Sequence, residues 1–257
     1  MKKIKKLLLI SIAAALLIPA YGCDNTNKKD EEKIELTISA AASLKEVMGE
    51  IEKEFTKDNP NIKLSFNFGS SGSLQKQIQE GAPSDIFISA GENQMLQLEK
   101  DQLIDENSLS NLLNNQLVLI SSSDNIKTMD DLKNVSHIAM GEPTSVPAGK
   151  YADESLTSLN LKDSLAPKLV YGKDVKEVLA WVLSKDADAG FVYKSDTYNV
   201  DSINVVDTIG DEYHSPINYP IAIIKETKNH DAAKTFEDYL FTNNAKELFD
   251  KYGYKPR

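Results

Sequence analysis

The spacing of hydrophobic positions along the chain changes between a period of two residues, typical of strands, and a period of about 3.6 residues, typical of helices. In residues 62–68, Leu64, Phe66 and Phe68 fall on one face at a period of two, which is typical of a half-buried strand. Further strand-like stretches cover residues 34–40, 85–89, 116–121, 137–140, 168–171, 189–193, 203–206 and 219–224. Helix-like stretches cover residues 43–55, 71–80, 94–102, 147–160, 175–184, 232–241 and 245–252. This repeated order predicts an α/β fold with mostly parallel sheets and helices on their faces.

Four of the predicted strand-to-helix junctions share one composition. Residues 39–46, 68–74, 141–149 and 171–175 are small and polar, and each junction opens a helix. In open α/β sheets ligands bind beyond the carboxyl ends of the strands. A helix N-terminus offers unpaired backbone N–H groups and a partial positive charge, which together suit an anion. The junctions therefore predict an anion site if the fold brings them together.

Each junction also has a purely structural interpretation. Ser43 and Glu46 have the spacing of a capping box, and serine caps helices for stability alone. Pro147 is an ordinary first residue of a helix. Taken singly, each junction is more often a plain cap than a ligand site, so the prediction depends on their convergence.

Glycines and carboxylates in the same loops bear on the ligand. Gly69, Gly72 and Gly149 are expected to let a ligand approach the backbone closely. A fully ionised dianion has only acceptor oxygens, so its site should offer only donors. Glu142 and Asp174 lie in these loops, and either could face the ligand, although Asp174 fits a helix cap better.

The N-terminus has the parts of a secretory signal. A head with four lysines precedes an apolar run over residues 7–19, and small residues follow up to Cys23. The run is too short for a spanning helix, which needs about 20 apolar residues. Cys23 is the only cysteine, so an internal disulfide is excluded. The segment resembles a bacterial lipoprotein signal, although Ala20 and Tyr21 depart from that family's usual box.

This resemblance implies a signal peptide over residues 1–22 and lipid attachment at Cys23, with plain secretion and a free thiol as the alternative. Residues 24–33 contain no apolar side chain. Such a segment cannot bury enough surface to offset its ordering entropy. We therefore expect residues 23–33 to form a flexible tether between a lipid-anchored Cys23 and an extracytoplasmic domain.

The composition of the chain after the tether restricts the kinds of partner that it could bind. About 225 residues suit two lobes of about 100 residues each better than a single core. The net charge is −10, and removal of the signal, with its four lysines and no acid, takes it to −14. Such a surface should repel nucleic acid and anionic lipid. An anion would have to be captured by local donors against the overall field.

A family resemblance joins these features. It rests on residues 40–44, 81–90, 146–152, 190–196 and 219–222, and on Ala245, Phe249 and residues 252–254. In sequence and in order these segments resemble the molybdate-binding proteins of ABC transporters. The resemblance runs from about residue 34 to residue 255, which is nearly the whole chain after the tether.

The resemblance implies a two-lobed periplasmic-binding-protein-like fold of type II, with a hinge between the lobes. Lobe I would hold residues 34–115 plus 218–257, and lobe II residues 116–217. One tetrahedral oxyanion, molybdate and with it tungstate, would sit between the lobes. A protein of this kind performs no chemistry and needs no cofactor. It would be a monomer that delivers its ligand to an ABC permease in the membrane.

The resemblance also carries five ligand-binding positions onto this chain. Ser43 and Ser71 would give a hydroxyl and a backbone N–H each, Ala148 and Val175 a backbone N–H, and Tyr193 its phenol. The metal would be contacted only through the oxygens of the anion, without direct ligation. In the second loop, Ser70 or Ser73 could share the role of Ser71.

Other functions fit the residues less well. Residues 73–76 match Ser-x-x-Lys and residues 123–125 match Ser-Asp-Asn, as in penicillin-recognising serine enzymes, but residues 127–129 lack the glycine of Lys-Thr-Gly. Tyr193 and Tyr198 suggest a ferric-binding protein, yet their spacing is unlike the adjacent tyrosines of that family. Another oxyanion such as sulfate stays open, because discrimination from molybdate would depend on the size of the cavity.

Overall fold

The structure, a computed structural model, describes residues 33–257. The predicted signal peptide, Cys23 and the tether up to residue 32 lie outside the described residues. Residues 33–257 belong to one compact unit. Within this range no helix has the length and apolar character needed to cross a bilayer.

Strands and helices alternate largely as the hydrophobic pattern predicts, and the structure adds strands at residues 110–114 and 255–256 and a short helix at residues 162–165. The strands are β1 Ile34–Ala41, β2 Ile62–Gly69, β3 Ile86–Ile88, β4 Ser110–Asn114, β5 Leu117–Ser121, β6 Ile138–Gly141, β7 Leu169–Gly172, β8 Ala189–Tyr193, β9 Asn204–Thr208, β10 Asn218–Ile223 and β11 Lys255–Pro256. The α-helices are α1 Lys45–Asp58, α2 Ser71–Gln79, α3 Glu92–Lys100, α4 Pro147–Ser158, α5 Lys162–Leu165, α6 Val175–Ser184, α7 His230–Leu240 and α8 Asn243–Lys251. A 3-10 turn, Ala42–Leu44, connects β1 to α1.

The strands form two sheets. The first has the order β11-β4-β10-β3-β1-β2, and the second has the order β7-β6-β8-β5-β9. We call each sheet with its flanking helices a lobe, lobe I for the first and lobe II for the second. The chain passes from lobe I to lobe II between β4 and β5, and it returns between β9 and β10.

Both sheets are mixed rather than mostly parallel. β1 pairs in parallel with β2 and β3, and β6 pairs in parallel with β7 and β8. β10 is antiparallel to β3 and β4, and β5 is antiparallel to β8 and β9. The antiparallel pairs result from the connectivity of the chain. β5 is the first strand after the chain passes into lobe II, and β10 is the first strand after it returns to lobe I. Both run opposite to the neighbouring strands that are joined by helical connections, which favour parallel pairing.

Helix α6 shows how local sequence places one side of the site. Its buried residues Val175, Val178, Leu179 and Val182 recur at spacings of one turn and pack into lobe II. The Asp174 side chain caps its first turn by accepting from the Glu177 backbone N–H at 2.9 Å. The helix therefore begins at Val175, directly after β7, with its N-terminus fixed at the carboxyl edge of the sheet.

Candidate functional site

All five predicted site residues line one small cavity formed by residues of both lobes. Its lining consists of Ala41, Ala42, Ser43, Gly69, Ser70, Ser71, Ala90, Val146, Pro147, Ala148, Asp174, Val175 and Tyr193. The cavity is partly open to solvent, and the centre of a water-sized sphere can move through about 10 Å³ of it. That is about the space that one such sphere needs. The space suits a small ion.

The backbone N–H groups around the cavity come from the first turns of helical segments. Ser43 lies in the 3-10 turn before α1, Ser71 and Val175 are the first residues of α2 and α6, and Ala148 is the second residue of α4. Helix geometry leaves such groups without an intrahelical acceptor. None of the four donates to another backbone carbonyl among the described residues. Four donors and four helix dipoles therefore converge on one space.

Ser43 does not act as the helix cap that its spacing with Glu46 predicts. Neither the 3-10 turn nor α1 has a side-chain cap, so the capping-box interpretation is wrong. The hydroxyl instead lies 3.0 Å from the Oη atom of Tyr219, and the Ser43 carbonyl accepts from Tyr254 Oη at 2.8 Å. Ser43 lies inside a 3-10 turn, so its backbone is not extended as that of a capping residue would be. The buried phenols of Tyr219 and Tyr254 hold Ser43 in lobe I instead.

Ser71 is buried and keeps a free hydroxyl proton. Its Oγ atom accepts from the Ala90 backbone N–H at 2.9 Å. Ser70 is the cap of α2, because its Oγ accepts from the Ser73 backbone N–H at 3.3 Å and donates to Ser73 Oγ at 2.8 Å. Ser73 itself is exposed and does not line the cavity. Of these three hydroxyls, only that of Ser71 combines cavity exposure with an uncommitted proton.

Tyr193 reaches across from lobe II. Its ring is buried, and its Oη atom donates to the Ala90 carbonyl of lobe I at 3.3 Å. Burial, with smaller contributions from nearby Tyr219 and Tyr151, raises the pKa of the phenol well above 10. The phenol is therefore a donor at physiological pH, and its long bond to Ala90 leaves a proton that an anion can attract.

The two carboxylates of the loops differ in their relation to the cavity. Asp174 lines it, with its Oδ1 atom accepting from the Glu177 N–H as the cap of α6 and its Oδ2 atom without a hydrogen-bond partner among the described residues. Glu142 turns back onto its own loop and accepts from the side chains of Thr144 and Ser145 and from the Thr144 N–H. The Thr144 hydroxyl is the largest cause of the lowered pKa of Glu142, and the other loop donors lower the pKa further.

Two of the three glycines have a different role from the one expected. A Cβ atom on Gly72 would lie 2.5 Å from the backbone oxygen of Ser145, and one on Gly149 would overlap the backbone of Gly141. Both glycines therefore permit close backbone packing within the protein, not the approach of a ligand. Gly69 does line the cavity, and a Cβ there would meet only the Leu74 side chain, at 3.5 Å.

Direct contacts join the lobes around the cavity. The Gly72 N–H of lobe I donates to the Ser145 carbonyl of lobe II at 3.0 Å. The Lys176 ammonium of lobe II lies 2.6 Å from Glu46 of lobe I and 2.7 Å from buried Asp196. Burial alone would lower the pKa of Lys176, but the two carboxylates outweigh it and raise that pKa. These contacts hold lobe I against lobe II, and the Lys176 cluster lines a pocket separate from the cavity.

The alternative motifs do not assemble at this cavity. Residues 73–76 lie in α2 of lobe I and residues 123–125 follow β5 in lobe II, and none of them lines the cavity. Tyr198 packs on Tyr252 at a centroid distance of 4.3 Å in a separate pocket, so Tyr193 and Tyr198 do not form a pair. Among residues 33–257 there is no cluster of three His, Cys, Asp or Glu side chains arranged for a metal ion.

Three residues beside the cavity are absent from the sequence-based site. Ala90 bonds to both Ser71 and Tyr193, Tyr219 bonds to Ser43, and Asn115 bonds to Tyr219. Ala90 acts through its backbone, which leaves no side-chain signal. Tyr219 lies in a strand pattern that indicates only burial. Asn115 lies between two strands, where the chain passes from lobe I to lobe II. Its burial is the signal of its role, and the sequence alone does not show that burial.

The model of the family described as bacterial extracellular solute-binding protein matches residues 36–255. YvgL of Bacillus subtilis, assigned as an ABC transporter substrate-binding lipoprotein, is 41% identical over 95% of each chain. The molybdate-binding protein ModA of Haemophilus influenzae is 34% identical over 100% of each chain.

A solved structure agrees with these relatives. The substrate-binding domain assigned to a molybdenum ABC transporter of Clostridium difficile has 54% identity and a TM-score of 0.69, covering 87% of this chain and 99% of that one. The predicted two-lobed α/β fold is therefore confirmed. The chain belongs to the family of bacterial extracellular solute-binding proteins.

Proposed function

We propose that this protein captures molybdate outside the cytoplasm for an ABC importer. The observation that carries the proposal is the donor set of the cavity. Four backbone N–H groups from helix starts converge with the hydroxyls of Ser43, Ser71 and Tyr193, and no lysine or arginine of residues 33–257 lines the space. The names of the relatives, a molybdate-binding protein and a domain of a molybdenum transporter, support the same ligand.

The charge of the site matches a dianion without any cationic side chain. Each helix N-terminus carries about half a positive elementary charge. Four helix starts thus supply about two positive charges within a few ångströms of the cavity. Hydrogen bonds to a charged oxygen are about twice as strong as neutral ones, which compensates for the desolvation of the anion. These local donors act against the net negative charge of the chain.

The excess of hydrogen-bond donors in the lining favours a fully ionised anion, which has only acceptor oxygens. Hydrogen phosphate would bring a proton that needs an acceptor, and the one carboxylate among the described lining residues, Asp174, already uses one of its oxygens as the α6 cap. Molybdate and tungstate have the same charge and shape, so we expect both to bind. Sulfate is also fully ionised but smaller. Its oxygens would reach the donors fixed on both lobes less well than those of molybdate, so we expect sulfate to bind more weakly.

In this proposal the five lining residues Ser43, Ser71, Ala148, Val175 and Tyr193 hold the anion. Lobe I, residues 34–115 plus 218–257, contributes the two serines, and lobe II, residues 116–217, contributes the other three. A ligand that touches both lobes favours the closed arrangement through that differential contact. Closure about a hinge at the two crossings would present the loaded protein to a permease.

The N-terminal sequence supports the proposed location outside the cytoplasm. We propose that residues 1–22 are removed as a signal peptide and that Cys23 carries the lipid, with residues 23–33 as the tether. The lipoprotein assignment of YvgL supports this anchor. The protein would then work as a monomer at the outer face of the membrane, next to its permease.

Thermal unfolding with four anions tests the proposed function. A ligand at about 100 times its dissociation constant stabilises the folded state by about 2.7 kcal/mol. For a unit of about 225 residues this raises the melting temperature by about 5–11 °C. Molybdate and tungstate should give this shift, sulfate less, and phosphate none. Equal shifts with all four anions would contradict the assignment.

A further inference from the structure

Asn115 lies where the chain passes from lobe I to lobe II, between β4 and β5, and it is buried. Its Oδ1 atom accepts from the Gln116 backbone N–H at 2.9 Å, which fixes the orientation of the amide. The Nδ2 atom therefore faces two hydroxyls, Ser195 Oγ at 2.9 Å in lobe II and Tyr219 Oη at 3.1 Å in lobe I. Each of the two amide protons has one acceptor.

The direction of the next hydrogen bond follows from that orientation. An amide nitrogen only donates, so Tyr219 Oη accepts from Asn115. The phenol is fully buried, and among the described residues its other partner is Ser43 Oγ at 3.0 Å. An unsatisfied buried hydroxyl is costly, so the Tyr219 proton goes to Ser43 Oγ. Burial raises the pKa of Tyr219 well above 10, which keeps that proton in place at physiological pH.

We call the hydrogen bonds from Asn115 through Tyr219 to Ser43 the relay. The relay determines whether the Ser43 hydroxyl can donate into the cavity. Because Ser43 Oγ accepts from Tyr219, its own proton is free to point at a ligand rather than back into lobe I. The Ser43 carbonyl is also held, by Tyr254 Oη at 2.8 Å, so the residue has little freedom to turn away. Chains of hydrogen bonds polarise one another, so the final donor is strengthened as well as oriented.

We propose that Asn115 is a positioning residue for the anion, and that it acts through Tyr219 to hold Ser43 as a donor. This inference rests on the proposed function and deepens it, because an acceptor-only anion requires every hydroxyl of the site to donate. Asn115 also bonds to Ser195, so the same amide joins the donor relay of lobe I to lobe II at the crossing.

The test is a set of calorimetric titrations with molybdate on the full extracytoplasmic chain. Tyr219→Phe removes the phenol oxygen and keeps the ring, which packs edge-on against Tyr193 and Tyr254. We expect it to weaken binding about 3- to 30-fold, within the range of coupling in one hydrogen-bond network. The loss should vanish in a Ser43→Ala background and persist in a Ser71→Ala background.

A purely structural role of Tyr219 would weaken binding equally in both backgrounds, and that result would overturn the proposal. Asn115→Asp tests the first link, since aspartate keeps the acceptor for Gln116 but has no N–H to donate. Its effect should be larger in the parent than in Tyr219→Phe, where only the added charge and the lost donation to Ser195 act. Equal effects in the two would overturn the role of Asn115.

Melting temperatures without anion confirm that the variants fold. Should Asn115→Asp fail to fold, Asn115→Ala, which also lacks the N–H that donates to Tyr219, takes its place in the same comparison. Molybdate binding by the parent, with equal losses in both serine backgrounds, overturns the relay and leaves the proposed function standing. A parent that binds no molybdate overturns the proposed function and the relay with it.

Discussion

Replacement of Ser71 by alanine should separate the binding role of a hydroxyl from its structural role. The hydroxyl of Ser71 accepts from the Ala90 N–H at 2.9 Å, and its proton is free for the anion. Without the oxygen, the Ala90 N–H is left buried and unsatisfied, which costs about 1–3 kcal/mol of stability. For a unit of this size the melting temperature should fall by about 2–12 °C.

The same change should weaken anion binding by a separate amount. A hydrogen bond to a charged group contributes about 1.5–3 kcal/mol, which corresponds to about 10- to 100-fold in affinity for molybdate. Chemical denaturation without anion measures the first effect, and calorimetric titration of the folded protein measures the second. The two magnitudes are independent because the Ala90 bond exists with or without a ligand contact.

Ser73→Ala is the matched control on the same helix. Ser73 is exposed, lies outside the cavity, and its side chain only accepts from Ser70 Oγ. We expect its affinity for molybdate to stay within about twofold of the parent, since surface changes away from a site rarely exceed about 0.5 kcal/mol. An unchanged affinity in Ser71→Ala, or an equal loss in Ser73→Ala, would show that the assigned donor is wrong.

Three further predictions follow from the contacts around the cavity. Tyr193→Phe should weaken molybdate binding, and small-angle scattering should show compaction of the parent with molybdate and less of it in the variant at the same subsaturating concentration. Glu142→Gln should lower stability at neutral pH. Because the folded pKa of Glu142 lies below its ordinary value of 4.5, that contribution is present above pH 4.5 and is lost as the pH falls through the folded pKa, so the difference between parent and variant in denaturant titrations should shrink in acid. Gly149→Ala should lower both the melting temperature and the affinity, because the new Cβ overlaps the Gly141 backbone and displaces the start of α4; an unchanged melting temperature would contradict this packing argument.

Much of the fold could be predicted because periodicity and local signals agree. Residues 175–184 and 189–193 were predicted as helix and strand and have those bounds in the structure, since a capping aspartate and a fully buried run mark them. β4, Ser-Asn-Leu-Leu-Asn, was missed because it shows no alternation. Its strand conformation depends on pairing with β10 and β11, which are distant in sequence. The antiparallel pairs of both sheets likewise depend on the two places where the chain passes between the lobes, which no local pattern indicates.

The site could be predicted only in part, for a related reason. Helix starts after strands are visible in sequence, and the fold brings Ser43, Ser71, Ala148 and Val175 together at one cavity. The direction of each hydroxyl proton is set by partners far along the chain. Ser43 looked like a cap, yet its partner is Tyr219, 176 residues away. Long-range pairing of this kind leaves no local pattern to detect.

Calorimetric titration of the parent protein with molybdate, tungstate, sulfate and phosphate tests the central claim most directly. The small donor-lined cavity between the lobes predicts one anion per chain, tight binding of molybdate and tungstate, weaker binding of sulfate, and no binding of phosphate at neutral pH. Binding of phosphate as tight as that of molybdate, or no binding of molybdate at all, would contradict the account.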